Sequence, residues 1–291
     1  MINTQYKQII IIRRQGCIIN IKYIEDVLND RGIRYFYASE SLPYGEMPGE
    51  KDIPTLILSL GGDGTMLLSM VSALQYMDAH VVGINDGKVG FLTEDIDEKE
   101  INDILNGVYF EPVEKHILSV RGRNADDPLG IKAANEIVIG TSAYAPPMIF
   151  YAMVDDKEVF SYRGTGLMLS TPTGSTALSM SNGGPILSPG VDALVISPIL
   201  PHGLALRPVV VPANANIAFA VRQPTYGTKN LSVVADGRDI KTFKLERRDN
   251  MILELSAKKR VKVLESVLEG NHKDFFKLLT HKMGWGSGPK L

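Results

Sequence analysis

The sequence predicts an α/β domain built on a parallel sheet, followed by an all-β domain of sandwich-like build. Three observations carry this. Apolar runs alternate with helix-spaced segments through the first third of the chain. Short apolar runs separated by turn signals fill the middle. A single helix-like segment stands near the end. The expected organisation is an α/β domain over residues 1–110 and a β-rich substrate-binding domain over 111–268. A C-terminal helix over 269–291 then packs back on the first domain.

Ile9–Ile12 is a continuous apolar run, as expected of a strand buried on both faces. Ile21, Ile24, Val27 and Leu28 repeat at helical spacing, with Gly32 as the C-terminal stop. Ile33–Tyr37 reads as a second strand, and Leu56–Leu60 and Val81–Ile84 bracket a helix that follows Thr65. Asp97 and Glu100 have capping-box spacing for a helix over 98–106. From about residue 110 strands dominate: Ile117–Arg121, Glu136–Ile139, Phe150–Val154, Leu167–Ser170, Ala193–Ser197 and Val209–Val211. Ile217–Val221, Leu231–Val234, Phe243–Leu245, Met251–Leu255 and Val261–Val263 continue the series. Asp155-Asp156 and Asp236-Gly237 mark turns, and Lys258-Lys259-Arg260 reads as a solvated strand edge or turn. The tail helix is expected at about residues 272–282, ending near Trp285.

The formal net charge of the 291 residues is −2, and no dense basic run occurs, which argues against nucleic acid and anionic membrane as partners. A lone cysteine, Cys17, excludes an internal disulfide and suits a reducing compartment. The N-terminus lacks signal-peptide shape and no segment is long enough to span a bilayer, so the expected location is cytoplasmic. The five histidines are scattered without metal-ligand spacing. Of these, His202 reads as a structural histidine, and nearby Arg207 as a strand-edge arginine.

Gly61-Gly62-Asp63-Gly64-Thr65 joins a buried strand to a helix start, where backbone N–H groups approach an anion. A carboxylate at the centre of such a turn repels a bare phosphate. Asp63 therefore points to chemistry: drawing a proton from a hydroxyl or holding a cation against phosphates. The plain alternative is a surface turn in which Asp63 caps the helix. Gly83–Thr93 places three glycines and Asn85 after the next strand, which suits close approach by a ligand. Asn135-Glu136 can bind a pair of sugar hydroxyls or stand as a polar strand entry. Ser170–Thr176 carries five hydroxyls in seven positions, a donor surface for phosphates or a base, or else a Ser/Thr turn cluster.

These motifs, in this order, resemble the NAD kinase family from about Leu56 to Trp285. The pieces that carry the resemblance are Gly61–Thr65, Gly83–Thr93, Ala134-Asn135-Glu136, Ser170–Ala177, Gly183-Gly184-Pro185 and Lys282–Trp285. The first recurs in diacylglycerol and sphingosine kinases and, in related form, in phosphofructokinases; the Thr-Pro-Thr-Gly-Ser-Thr stretch is far more specific. The resemblance implies phosphoryl transfer from ATP, or sometimes polyphosphate, to the adenosine-ribose 2′-hydroxyl of NAD. Asp63 is then the general base, and Mg2+ or another divalent cation is held mainly by the donor phosphates. Gly61, Gly62, Gly64, Thr65, Asn85, Gly90, Thr171, Thr173, Gly174 and Ser175 are implied on the donor side. Phe91, Asn135, Glu136, Arg163, Thr165, Thr176, Ala177, Leu178 and Ser181 are implied on the acceptor side. A homodimer or homotetramer is also implied.

Two positions depart from the family pattern. Thr165 stands where an Asp is usual, and Leu178 where a Tyr is usual. The acceptor side loses an anionic acceptor and an aromatic face, each worth on the order of 1–3 kcal/mol in an otherwise unchanged site. This leaves a second expectation, a related kinase acting on a different small molecule such as a nucleoside, polyol, amino acid or guanidine. A third is a non-catalytic nucleotide-binding regulator, against which Asp63 argues.

Overall fold

The computed structural model describes residues 6–39, 46–87, 90–95, 98–123, 129–141, 145–203, 205–224, 226–267 and 274–284. The chain divides into two compact units, one of residues 1–115 with 261–291 and one of residues 116–260.

The first unit opens with β1 (Gln8–Arg13), α1 (Ile21–Asp30), β2 (Arg34–Ala38), β3 (Thr55–Leu60), α2 (Asp63–Ala73) and β4 (Ala79–Ile84). A 3-10 turn at Glu98–Glu100, α3 (Ile101–Asn106) and the start of β5 (Phe110–Gly122) follow. Asp97, the expected capping residue before α3, lies outside the described residues. The strands run parallel in the order β2, β1, β3, β4. Successive side chains of a strand point to opposite faces. Ile9, Ile11, Leu56, Leu58, Leu60, Val82 and Ile84 accordingly form one buried face with Ile24 and Leu28 of α1 and Ile101 and Ile104 of α3. On the other face, a Cβ built on Gly83 would stand 3.1 Å from Met66 Sδ of α2. Helices on both faces explain why β1, β3 and β4 read as unbroken apolar runs.

The second unit holds β6 (Lys132–Ala133), β7 (Glu136–Gly140), β8 (Met148–Val154), β9 (Lys157–Gly164) and β10 (Gly166–Ser170). A 3-10 turn at Thr173–Thr176, the one-turn α4 (Leu178–Ser181), β11 (Ala193–Ile199) and β12 (Val209–Pro212) come next. β13 (Ile217–Arg222), β14 (Lys229–Ala235), β15 (Arg238–Leu245) and the first part of β16 (Asn250–Ser266) complete it. One antiparallel sheet has the order β12-β11-β10-β7-β14-β15; β16, β13, β8 and β9 pair in that order in another. Ile137, Leu169, Ile196 and Val233 of the first share one core with Phe150, Phe219 and Leu253 of the second. This is the layered β architecture that the short-strand pattern predicts.

Three local results differ from the sequence expectation or sharpen it. Met251–Leu255 and Val261–Val263 belong to one strand, β16, and Lys258-Lys259-Arg260 is strand rather than turn, with both lysines exposed. Strand β9 was not expected: only Phe160 and Tyr162 alternate inward onto the core, in an edge strand whose Lys157, Glu158, Val159, Ser161 and Arg163 are exposed. Its hairpin with β8 turns at Asp155-Asp156, both at positive φ (49° and 60°), and β14 and β15 turn alike at Asp236-Gly237 (49° and 75°). Positive φ at both central residues is what a two-residue hairpin loop requires.

The last helix, α5 (Phe275–Met283), groups with the first unit. It is capped by the Asp274 carboxylate, which accepts from the Phe276 and Lys277 N–H groups. Its Phe275 ring lies 6.3 Å from that of Phe91, and Leu279 is fully buried. Trp285 and His272 lie outside the described residues.

Phe219 fills the shared core of the second unit with no exposed surface. Phe219→Ala is expected to destabilise the protein by about 3–5 kcal/mol, read as a lower urea midpoint of unfolding.

Candidate active site

The first group of candidate residues gathers at the C-terminal ends of β3 and β4, where ligands of open parallel sheets bind. The Gly61 N–H donates to Ile84 O, Gly62 caps α2, and Asp63 is the first residue of that helix. Asp63 does not cap its own helix. Its carboxylate accepts instead from the N–H groups of Phe91 and Leu92, at 2.9 and 3.0 Å. A Cβ on Gly90 would overlap Asp63 Oδ1, so only glycine lets this loop close on the acid. Gly61 is likewise tight, 2.6 Å in the same construction from Thr65 Oγ1. By contrast a Cβ on Gly62 or Gly64 would meet nothing within 4 Å among the described residues. Their bareness serves no packing among the described residues and suits an approaching group.

The loop after β4 returns on itself. Asn85 N–H donates to Glu94 O, Glu94 N–H to Gly83 O, and Asn85 Nδ2 to Gly87 O. Asn85 therefore shapes its own loop with its amide. The Phe91 ring, beside Phe275, also has Lys282 Nζ 5.6 Å from its centroid. Lys88 and Val89 lie outside the described residues.

The second group gathers where β7 begins. Asp236, in the β14–β15 turn, sends its carboxylate to the three successive N–H groups of Ala134, Asn135 and Glu136, at 2.9, 2.8 and 3.2 Å. Sequence reading found Asp236 only as a turn residue; the Asp-Gly pair was its one signal. Asn135 O accepts from Thr171 N–H and Ala134 O from Thr171 Oγ1, which ties the Ser/Thr loop to the same point. A Cβ on Gly174 would overlap Asn135 O. The Asn135 side-chain amide has no hydrogen-bond partner among the described residues.

The Ser/Thr run is not the open donor surface that its composition suggests. Thr171 Oγ1 also receives Gly174 N–H, Ser175 Oγ bonds Pro172 O and receives Leu187 N–H, and Thr176 Oγ1 donates to Thr173 O. These hydroxyls satisfy a tight turn from which the backbone cannot draw enough partners of its own. The Thr173 hydroxyl has no partner among the described residues.

Arg163 and Thr165 lie apart from Asn135 and Glu136. In the β7–β10 register Glu136 faces Ser170 and Gly140 faces Gly166, so Thr165 stands at the other end of β10, about 17 Å away at strand rise. The chain returns toward that end through Ala177, Leu178 and Ser181: Asn182 Nδ2 donates to Pro198 O, next to Ile199, whose carbonyl accepts from Thr165 N–H and Oγ1. Leu178 is 46% exposed and Ser181 is exposed.

Among the described residues no group of three or more His, Cys, Asp or Glu side chains can hold a metal ion. The Asp63 carboxylate accepts one amide at each oxygen, which leaves a lone pair on each for a further partner. No described helix is long and apolar enough to cross a membrane.

Glu136 is 5% exposed and its Oε2 has no hydrogen-bond partner among the described residues. Burial pushes its pKa up to about 7, and the neighbouring Asp236 charge adds to the rise. Burial raises Asp236 too, against the pull of its three amide donors. A carboxyl whose folded pKa exceeds its unfolded value stabilises the fold at low pH and loses that contribution as pH rises through the folded value. The wild-type melting temperature is therefore expected to fall more steeply than that of Glu136→Gln between about pH 5 and pH 8, measured by calorimetry at constant ionic strength.

Comparison with known proteins matches both units. The ATP-NAD kinase N-terminal domain model aligns with residues 50–111, and the ATP-NAD kinase C-terminal domain model with residues 134–266. The NAD kinase of Wigglesworthia glossinidia brevipalpis is 36% identical over 241 residues, 81% of this chain and 77% of that protein. That of Teredinibacter turnerae is 33% identical over 269 residues, 90% and 87% of the two chains. The structure of yeast NADH kinase complexed with NADH has a TM-score of 0.73 at 17% identity, covering 99% of this chain and 90% of that one. An NAD kinase from Archaeoglobus fulgidus in complex with ATP has a TM-score of 0.67 at 22% identity, covering 96% and 99%. These two structures share the fold, and the two domain models with the curated relatives show that the chain belongs to the NAD kinase family.

Proposed function

We propose that this protein is a kinase that transfers the γ-phosphoryl group of ATP to the adenosine-ribose 2′-hydroxyl of NAD, giving NADP and ADP. The observation that carries the reading is Asp63: an acid at the first position of α2, oriented by the amides of Phe91 and Leu92, beside two glycines that face open space.

The donor phosphates bind along Gly61–Thr65, where backbone N–H groups at a helix start favour negative charge. Asn135 and Glu136 take hydroxyls of the acceptor ribose. The Asn135 amide is unengaged, and Asp236 holds the backbone of both residues in place. The Asp63 carboxylate draws the proton from the 2′-hydroxyl as its oxygen attacks the γ-phosphorus. A new O–P bond forms, the bond to the ADP oxygen breaks, and ADP carries away that electron pair. A divalent cation, when bound, neutralises charge on the donor phosphates. Arg163, Thr165 and Ser181, a strand's length from Glu136, suit the far end of an extended dinucleotide. The reading includes a cytoplasmic location and a homodimer or homotetramer, the latter checked by analytical ultracentrifugation.

The test is ATP with Mg2+ and a panel of NAD, NADH, nucleosides, polyols, amino acids and guanidines, with mass spectrometry of products. NADP formation supports the reading. A different phosphorylated product transfers the same chemistry to another acceptor, and nucleotide binding without turnover makes the protein a regulator. Asp63→Asn, which keeps the size of the side chain but can accept from only one of the Phe91 and Leu92 amides, is expected to lower kcat by about 10²–10⁴-fold with NAD, with folding checked by circular dichroism.

The departures at Thr165 and Leu178 favour a weakened grip on NAD. The Thr165 hydroxyl is turned to Ile199 O, and Leu178 offers an apolar surface where a phenol is usual. Thr165→Asp with Leu178→Tyr is expected to lower the KM for NAD by about tenfold, read from steady-state kinetics at saturating ATP.

A further inference from the structure

The ends of β1, β3 and β4 are level. Arg13 pairs with Leu60 and Leu60 with Ile84, so the next residues, Arg14, Gly61 and Asn85, stand side by side with the β3 end in the middle. Backbone bonds continue this alignment: Arg14 N–H donates to Leu60 O at 2.9 Å, and Gly61 N–H to Ile84 O at 3.0 Å. Arg14 Nε and Nη2 both donate to Asp86 Oδ2, at 3.1 and 2.8 Å. An ion pair from the end of β1 to the loop after β4 has to cross the end of β3, and that is where the glycine turn begins. The stem of Arg14 lies against this turn, since its Cβ stands 3.0 Å from a Cβ built on Gly61.

The pair is unequal. The Asp86 side chain is 5% exposed and that of Arg14 is 50% exposed. A half-exposed guanidinium adds little stability through such a contact. A nearly buried carboxylate that engages one edge of it does fix the fork in place, and Nη1 is left without a partner among the described residues. Residues Gly61–Thr65 themselves include an acid and no basic side chain, so a phosphate chain entering the turn meets Asp63 without a side-chain counter-charge from that motif. Arginine's planar fork matches phosphate oxygens and stays charged at any working pH.

We propose that Arg14 binds the phosphates of the nucleoside triphosphate donor through the free edge of its guanidinium, and that Asp86 is the positioning residue that holds the guanidinium across the glycine turn. This rests on the donor reading of Gly61–Thr65.

The experiment is steady-state kinetics with ATP-Mg2+ and NAD on the wild type, Arg14→Met, Arg14→Lys, Arg14→Ala and Asp86→Asn, each checked for folding by circular dichroism. Wild-type turnover is measured first, and a wild type that consumes no ATP with any acceptor overturns the phosphotransferase reading and this assignment together. With an active wild type, Arg14→Met is expected to raise the KM for ATP at least about tenfold, with the KM for NAD within about twofold. Arg14→Lys, which keeps charge but not the fork, should fall between, and so should Asp86→Asn, which frees the guanidinium. Added guanidinium ion should restore part of the Arg14→Ala loss, a rescue that a purely structural role does not produce. A folded Arg14→Met, or a folded Arg14→Lys where the former does not fold, overturns the assignment alone if its KM for ATP stays within about twofold of wild type. It is also overturned if the KM values for ATP and NAD rise by the same factor.

Discussion

One half-buried carboxylate organises the start of β7 in the second unit. Asp236 accepts from three consecutive backbone N–H groups, those of Ala134, Asn135 and Glu136. Hydrogen bonds to a charged acceptor are worth about 1.5–3 kcal/mol each, enough to offset much of the cost of burying the charge. They hold the entry to β7, and through Asn135 O and Ala134 O they hold the Thr171–Thr176 turn as well. Glu136 then stands beside Asp236 with an oxygen that has no partner among the described residues and with a raised pKa. A protonated acid there resolves the like-charge contact and gains a donor, since a neutral carboxyl can donate as well as accept.

In the first unit the glycines divide by purpose. Gly61 and Gly90 are required by the packing of Thr65, Arg14 and Asp63, whereas Gly62 and Gly64 have no neighbour among the described residues where a Cβ would stand. The first pair brings the acid and its clamping loop together; the second leaves backbone available to an incoming anion. Helix α5 joins this arrangement through Phe275, which flanks the ring of Phe91, whose own N–H holds Asp63. The acid is thus oriented by backbone N–H groups, a form of preorganisation that side-chain rotamers alone do not supply.

Much of this was legible in the chain. The apolar runs at Ile9–Ile12, Leu56–Leu60 and Val81–Ile84 are the buried parallel strands, because helices on both sheet faces leave no polar side to encode. Asp155-Asp156 and Asp236-Gly237 are hairpin turns, because those residues tolerate positive φ. Strand β9 was hidden, since an edge strand exposed along much of its length turns only Phe160 and Tyr162 to the core, too short an alternation to stand out. The Ser/Thr run was legible as a motif but not as a structure: its hydroxyl count implies a donor surface, while the folded turn consumes most of those hydroxyls itself.

What the sequence determined by itself is local: which segments are strand or helix, where the turns fall, and that an acid stands inside a glycine turn at a strand–helix junction. These follow from periodicity and backbone preference, which act over a few residues. Tertiary structure alone decided the partnerships. Asp236 reaches amides 100 to 102 positions away, Asp63 reaches amides 28 and 29 positions away, and Arg14 meets Asp86 across 72 positions. Each of these acids and this arginine has many possible partners in an extended chain. Sheet order and register select one by placing particular strand ends side by side, and neither is encoded within any short stretch of residues.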